Sequence, residues 1–300
     1  MASASKAQID RLGERLREGT VSDDDLRELN AYRDTFVGAY NEVAAKILST
    51  AGLEPTGRPQ KTPFSIVQKL RRERTMQLSR MQDIAGCRLV VAKVPEQDQL
   101  VQGLVHAFNK TTVVDRRQRP SHGYRAVHVI AKVQNKAIEI QVRTELQNLW
   151  AQLSEVMSDV FDPAIKYGGG DPIFQGALVQ ASSYIVSVEE KEKLVGEMDP
   201  ELVKLLLSEN VVAVGEEEIT PALAEEFRKR RSPGKELIEG RLDSLSPELA
   251  TEVRRLKLSE TMAHRQFKKT FGEFADAKAR LLKDLKTTIE RFAALPRKVN

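Results

Sequence analysis

The sequence predicts an α+β fold, a small β-sheet flanked by helical N- and C-terminal extensions. Three observations carry that expectation. In mid-chain, Val127, Val129, Ala131 and Val133 alternate with His128, Ile130 and Lys132, and Ile138, Ile140 and Val142 alternate with Glu139, Gln141 and Arg143. Period-two alternation makes each run a strand with one buried face, and the polar Gln134-Asn135-Lys136 between them is of hairpin length. The stretches before and after instead carry apolar residues at helical spacing. Finally, Lys166-Tyr167-Gly168-Gly169-Gly170-Asp171-Pro172 forms a glycine-rich break between the two kinds of pattern.

Taken in order, residues 1–57 read as a helical N-terminal region. Ser22 and Asp25 fit a capping box. It opens one helix with the stripe Leu26, Leu29, Phe36, Tyr40, Val43 and Ile47, ending near Gly52 ahead of Pro55 and Gly57. Residues 58–170 read as the core. Pro63 suits a first helical turn, where its missing N–H has no partner to lose. A basic helix is expected from Arg71 to Arg80, after which Asp83-Ile-Ala-Gly86-Cys-Arg88 leads into Leu89-Val90-Val91. Ile66, Leu70, Met76 and Met81 supply the apolar stripe there. Residues 171–300 read as a helical extension, with helices near 173–194, 200–208, 220–231, 247–257 and 259–293, and loops at Gly215–Glu218 and Ser232–Gly234. In the last helix Phe267, Phe271, Phe274, Leu281, Leu285, Ile289 and Phe292 recur at helical spacing and need a partner surface. A lid over the core and a second subunit are both open, and the length of the stripe favours a homo-oligomer.

The polar face of the predicted hairpin collects His128, Glu139, Gln141 and Arg143. Such a face is either an ordinary half-exposed surface or the floor of a polar cleft. The segment Arg58 to Arg88 bears on that choice. Arg58, Lys61, Lys69, Arg71, Arg72, Arg74 and Arg80 crowd its polar side, with Glu73 the only acid before Asp83. Forked cationic side chains hold polyphosphates where no glycine-rich loop does so. Neither a Gly-x-x-x-x-Gly-Lys loop nor a dinucleotide fingerprint occurs in the chain.

Four motifs follow one another: Arg58-x-x-Lys61 with Ser65-Ile-x-x-Lys69-Leu, Asp83-Ile-x-Gly86-x-Arg88, Gly123-Tyr124-Arg125-x-x-His128, and Glu139-Ile-Gln141-x-Arg143-Thr followed by Trp150-Ala151. In that order they make residues 58 to 167 resemble the RelA/SpoT-type alarmone synthetases, of the small type with a single synthetase domain. The resemblance implies a nucleotidyltransferase-like mixed sheet. It implies transfer of the β,γ-pyrophosphoryl group of ATP to the ribose 3′-hydroxyl of GDP or GTP, the (p)ppGpp synthesis of the stringent response. It also implies Asp83 and Glu139 as the catalytic and metal-binding carboxylates for Mg2+, a hard ion that leans on one or two carboxylates and keeps its waters. Glu139 is open to a second role as general base. Arg58, Lys61, Ser65, Lys69 and Arg88 match the ATP side, while Arg71, Arg72 and Arg74 stand between that side and solvent. Tyr124 matches a position that stacks on the acceptor base, and Arg125, His128, Gln141, Arg143 and Asn148 join it on the acceptor side.

One departure bears on the acceptor. Small synthetases of the family commonly follow Trp-Ala with Leu-Glu-His, where this chain has Leu153-Ser154-Glu155. Acceptor identity therefore stays open between GDP, GTP, an adenine nucleotide and the 3′ end of tRNA. The last would need a basic path such as 228–231 or the final helix. A catalytically silent nucleotide-binding regulator is a further reading, which the retention of both acidic positions disfavours. The paired histidine–aspartate motif of the family's hydrolase domain is absent, and the four histidines show no metal-binding spacing.

Composition bounds the rest. The 300 residues allow one sizeable core with accessory elements, and a net charge of +4 suits a nucleotide cleft without demanding nucleic acid. The single cysteine, Cys87, excludes an intramolecular disulfide and suits a reducing compartment. No run reaches the roughly 18 apolar residues of a membrane span, and the first residues lack an apolar signal core. The expected location is cytoplasmic, with no membrane partner.

Overall fold

A computed structural model describes residues 4–197 and 262–295 and has the α+β architecture expected. Three helices open the chain: α1 (Lys6–Glu18), α2 (Asp23–Asp34) and α3 (Val37–Ala51). Helix α1 is an addition to the expected elements: Ser5 and Gln8 form its capping box, and Ile9, Leu12 and Leu16 are buried at helical spacing. The single helix expected from Ser22 to Gly52 is two. At the joint, Thr35 Oγ1 donates to Tyr32 O at 2.6 Å, and the Thr35 and Phe36 amides bond three residues back rather than four. The side chain competes for a helical carbonyl, and the tightened turn redirects the chain. Phe36 enters the core there, edge-on to Tyr32 at 5.2 Å.

The sheet has five strands in the order β1-β2-β5-β4-β3. They are β1 (Thr56–Arg58), β2 (Ala85–Val91), β3 (Thr111–Asp115), β4 (Val127–Val133) and β5 (Lys136–Thr144). Only β2 and β5 run parallel; the other pairs are antiparallel, so the sheet is mixed. The β4–β5 hairpin turns on Gln134 and Asn135, both with positive φ (49° and 61°), the conformation that fits a two-residue turn to the twist of its strands. Strands β1 and β3 and helix α5 (Val94–Ala107), between β2 and β3, were not read from the sequence.

Helix α4 (Pro63–Arg72) starts where Pro63 suggested, with Thr62 accepting from Ser65 N as its cap. The basic helix expected from Arg71 to Arg80 does not form. α4 ends at Arg72, the Met76 amide turns back to Glu73 O, and Leu78–Arg80 is a single 3-10 turn. At this exit the guanidinium of Arg17 of α1 donates to the carbonyls of both Leu70 and Met76, tying α1 to the end of α4 and the turn after it. Of the predicted stripe, Ile66 and Leu70 are buried in α4, while Met81 is buried outside any helix.

The apolar face of the sheet, with Leu89, Val129, Ile138, Ile140 and Val142, packs on Val43 and Ile47 of α3 and Leu104 of α5 in one core that also takes in α1, α2 and α4. The other face carries the polar residues of β2, β4 and β5 together with the buried Ile130. Helix α6 (Glu145–Val160) leaves β5 through a Thr144–Gln147 capping box. Helices α7 (Pro172–Glu197) and α8 (Met262–Ala293) stand where helices near 173–194 and 259–293 were expected.

The chain divides into two compact units, one reaching to Ser183 and one spanning Tyr184–Ala294. In the second, Leu285 is buried and Lys278 pairs with Glu192. The expected helices at 200–208, 220–231 and 247–257, the loops at 215–218 and 232–234, the 228–231 basic run, and the Phe267, Phe271 and Phe274 side chains lie outside the described residues. No helix among the described residues is long and apolar enough to cross a membrane.

Candidate active site

Two polar clusters occupy the open face of the sheet and its edge. The first forms where α4 meets the turn before β2. Lys61 Nζ donates to Asp83 Oδ2 at 2.7 Å and Lys69 Nζ to Oδ1 at 2.8 Å. The backbone prepares this meeting, because the Lys61 amide donates to Ile84 O at 2.6 Å. Arg33 of α2 then fixes the Lys61 carbonyl at 2.6 Å, and Arg17 fixes the end of α4. Burial pushes the Asp83 carboxyl up, but the charges and hydrogen bonds of the two lysines outweigh it and hold the group at about 2. One carboxylate between two ammonium groups leaves net positive charge, which a polyphosphate would balance.

The remaining ATP-side candidates are less concentrated. Ser65 receives the Thr62 hydroxyl at 2.7 Å within the α4 cap. Arg58 ends β1, opposite Gly86 of β2. Arg71 and Arg74 are exposed, Arg71 donating to Gly19 O at 2.9 Å, and the Arg72 guanidinium lies 3.7 Å over the Tyr167 ring.

The second cluster is a closed circuit of side chains on β4, β5 and the turn before β4. Gln141 Nε2 donates to Glu139 Oε2 at 2.7 Å, and His128 Nδ1 lies 3.0 Å from Glu139 Oε1. His128 Nε2 meets the Tyr124 hydroxyl at 2.8 Å. Arg143 Nη2 closes the circuit, donating to Tyr124 Oη at 3.1 Å and to Gln141 Oε1 at 2.8 Å. The polarity is consistent throughout: Arg143 only donates, Glu139 only accepts, and the phenol proton is left for the imidazole. The register makes this possible by setting His128 beside Gln141 while alternation puts Glu139, Gln141 and Arg143 on one face. Burial raises the Glu139 carboxyl, yet His128 and Gln141 hold it below its ordinary value in spite of the nearby Asp83 charge. Burial raises the Tyr124 phenol.

The clusters adjoin across the parallel pair β2–β5, where Gly86 faces Glu139. A Cβ on Gly86 would come within 2.8 Å of the Glu139 carbonyl oxygen, so no larger residue fits between the two carboxylate positions. Arg88, next along β2 on this face, was expected on the ATP side. The structure sets it electrostatically beside Arg143, Tyr124 and Glu155, and burial together with Arg143 lowers its pKa. The buried Nε atoms of both Arg88 and Arg143 have no hydrogen-bond partner among the described residues. Guanidinium groups are the side chains that pair best with phosphate and carboxylate groups.

Asn148 only approaches this circuit, its Oδ1 3.5 Å from Arg143 Nη1. The charge of Arg125 acts on Asp115 of β3, and its buried Nε also has no hydrogen-bond partner among the described residues. Arg17 and Arg33, which hold the backbone around the Asp83 cluster, carried no sequence signal because each grips a carbonyl far along the chain.

Residues 57–157 match the family model described as the region found in RelA / SpoT proteins. This segment is a RelA/SpoT region. It contains both carboxylates, both lysines and the whole circuit around Tyr124. Uncharacterized proteins of Mycobacterium bovis and Mycobacterium tuberculosis are 32% identical over 170 residues, covering 54% of this chain. The chain spans 62% of the length of these relatives. The chain is also similar to the solved small alarmone synthetase 1 of Bacillus subtilis. The form bound to its product pppGpp is 25% identical, with a TM-score of 0.47, covering 56% of this chain and 96% of that one. A second structure of that synthetase is 26% identical, with a TM-score of 0.45, covering 61% and 100%.

Proposed function

We propose that this protein is an ATP:nucleotide 3′-pyrophosphokinase that makes (p)ppGpp from ATP and GDP or GTP. The reaction forms a bond from the ribose 3′-oxygen to the β-phosphorus of ATP, breaks the α–β phosphoanhydride, releases AMP, and frees the hydroxyl proton. It asks for aligned phosphates, neutralised charge and little covalent participation by the protein. The observation that carries the reading is the pairing of Asp83, between two lysines, with Glu139 across Gly86, inside a RelA/SpoT region.

On this reading Lys61 and Lys69 transfer from Asp83 to the triphosphate of ATP as it enters. Arg88 and Arg143 carry guanidinium charge that neutralises phosphate where donor and acceptor meet. Tyr124 offers its ring to the acceptor base. Two neighbouring carboxylates among cations are a donor set that fits Mg2+, which completes its shell with water and phosphate oxygens rather than with an all-protein cage. Asp83 and Glu139 would hold it, and when bound it supplies charge neutralisation at the phosphates. Glu139, kept below the ordinary carboxylate range, suits a ligand better than a general base, which works best with a pKa near the operating pH.

The test is direct. Wild-type chain, ATP labelled in the γ position and Mg2+ are incubated separately with GDP, GTP, an adenine nucleotide and tRNA, and products are separated by thin-layer chromatography. Label moving to a guanosine pentaphosphate or tetraphosphate supports the proposal. Label entering only the tRNA or the adenine nucleotide reassigns the acceptor, and no transfer with any acceptor overturns the enzymatic reading.

A further inference from the structure

The acceptor half of the site is held in part from outside the RelA/SpoT region, by α7. Tyr124 follows a tight turn, closed by the Tyr124 amide donating to Ser121 O at 2.9 Å, with His122 and Gly123 both at positive φ (52° and 89°). A histidine in the left-handed region needs its surroundings to keep it there, and three elements supply them. Gly168 crowds the His122 ring so closely that a Cβ there would fall 2.1 Å from it. Trp150 of α6 lies against Gly123, where an added Cβ would meet the indole at 2.8 Å. Helix α7 fastens both: Ser182 Oγ donates to Gly123 O at 2.7 Å, and Trp150 Nε1 donates to Leu178 O at 2.7 Å. Ser182 and Trp150 are both buried, and the Trp150 ring lies 6.3 Å from that of Tyr124.

We propose that Ser182 and Trp150 are positioning residues for the acceptor nucleotide: the first turns of α7 clamp the Ser121–Tyr124 turn and so set Tyr124 and, through its hydroxyl, His128 and Arg143. The proposal rests on the pyrophosphokinase reading for the identity of the ligand, but not for the clamp itself. It gives the chain beyond the RelA/SpoT region a defined share in one half of the site. The ATP-side cluster hangs on α1, α2 and α4 instead, through Arg17 and Arg33. Loosening the clamp therefore acts on the acceptor and spares ATP, a split that general destabilisation would not produce.

Trp150 is the only tryptophan in the chain and reports directly on the clamp. The experiment compares the full chain with Ser182→Ala and Ser182→Thr, measuring GDP and ATP binding separately by calorimetry and acrylamide quenching of tryptophan fluorescence. Ser182→Ala is expected to weaken GDP about fivefold, the worth of one ordinary hydrogen bond, to raise quenching, and to leave ATP affinity unchanged. Ser182→Thr keeps the hydroxyl and is expected to restore both readouts. Equal loss of GDP and ATP, or unchanged GDP affinity and quenching in Ser182→Ala, overturns the clamp. A wild-type chain that binds neither nucleotide counts against the proposed function alone. Quenching then decides the clamp, a rise in Ser182→Ala supporting it and no change overturning it.

Discussion

The two halves of the candidate site hold their carboxylates in different ways. Asp83 sits in a turn, and its partners are ammonium groups on flexible stems, from α4 and the loop before it. Glu139 sits in a strand between two paired neighbours, and its partners belong to a circuit in which every member is fixed by another. The first arrangement is an excess of movable positive charge, able to exchange a carboxylate for phosphates. The second is a rigid polar surface, because opening any one bond strands a buried donor or acceptor. A triphosphate needs compensation more than shape, whereas a base and a ribose need shape. The difference between the halves thus matches the difference between the two proposed substrates.

The strongest way to break this comparison is to neutralise each half in turn. Asp83→Asn and Glu139→Gln are each expected to lower pyrophosphoryl transfer at least about a thousandfold while the far-ultraviolet circular dichroism stays native. Turnover near wild type in either variant would remove that carboxylate from the chemistry.

The next effect sharpens the acceptor half. Tyr124→Ala is expected to raise the acceptor KM by about 5- to 150-fold through lost stacking, with little change for ATP. Tyr124→Phe keeps the ring and loses only the contacts with His128 and Arg143, so its effect should stay below about tenfold. Equal damage from the two substitutions would assign the work to the hydroxyl and not to the ring.

Acid stability probes the Asp83 half next. The Asp83 carboxyl lies at about 2, below its unfolded value of 3.8. Its contribution is therefore complete above about pH 4 and disappears as pH falls through about 2, an effect on the order of 2 kcal/mol. Urea unfolding of the wild type between pH 4 and pH 2 should show that loss, and Asp83→Asn should flatten the slope there. An unchanged slope would mean that the lysines do not hold the carboxylate charged.

The smallest effect concerns the brace behind the ATP side. Arg33→Ala removes the donor to the Lys61 carbonyl and is expected to destabilise the chain by about 1–3 kcal/mol. The ATP KM should rise more than the acceptor KM. A rise confined to the acceptor would mean that the two halves are not independently supported.

Much of this was legible because it depends on local pattern. The β4–β5 hairpin, its polar face and the start of α4 follow from period-two alternation, a two-residue polar turn and a proline, all read within a few residues. The same local reading merged α2 with α3 and extended α4 to Arg80. In both places a side chain bonds backbone carbonyls at the helix end: Thr35 locally at the first, and Arg17 across the chain at the second. Strands β1 and β3 escaped notice because both are short edge strands whose membership is decided by the strand they pair with.

By itself the sequence determined which residues share a face, since alternation along β5 is enough to place Glu139, Gln141 and Arg143 together. It also carried the four motifs behind the resemblance over residues 58 to 167, most of which the RelA/SpoT family model matches at residues 57–157. Only the tertiary structure decided what those faces meet. The parallel pairing of β2 with β5 sets Gly86 against Glu139, and it puts Arg88 within reach of the Arg143 charge. The fold likewise carried Arg125 toward Asp115 and brought α7 back onto Gly123. These are contacts between distant segments, fixed by packing and by the need to satisfy buried polar groups, and no local pattern encodes them.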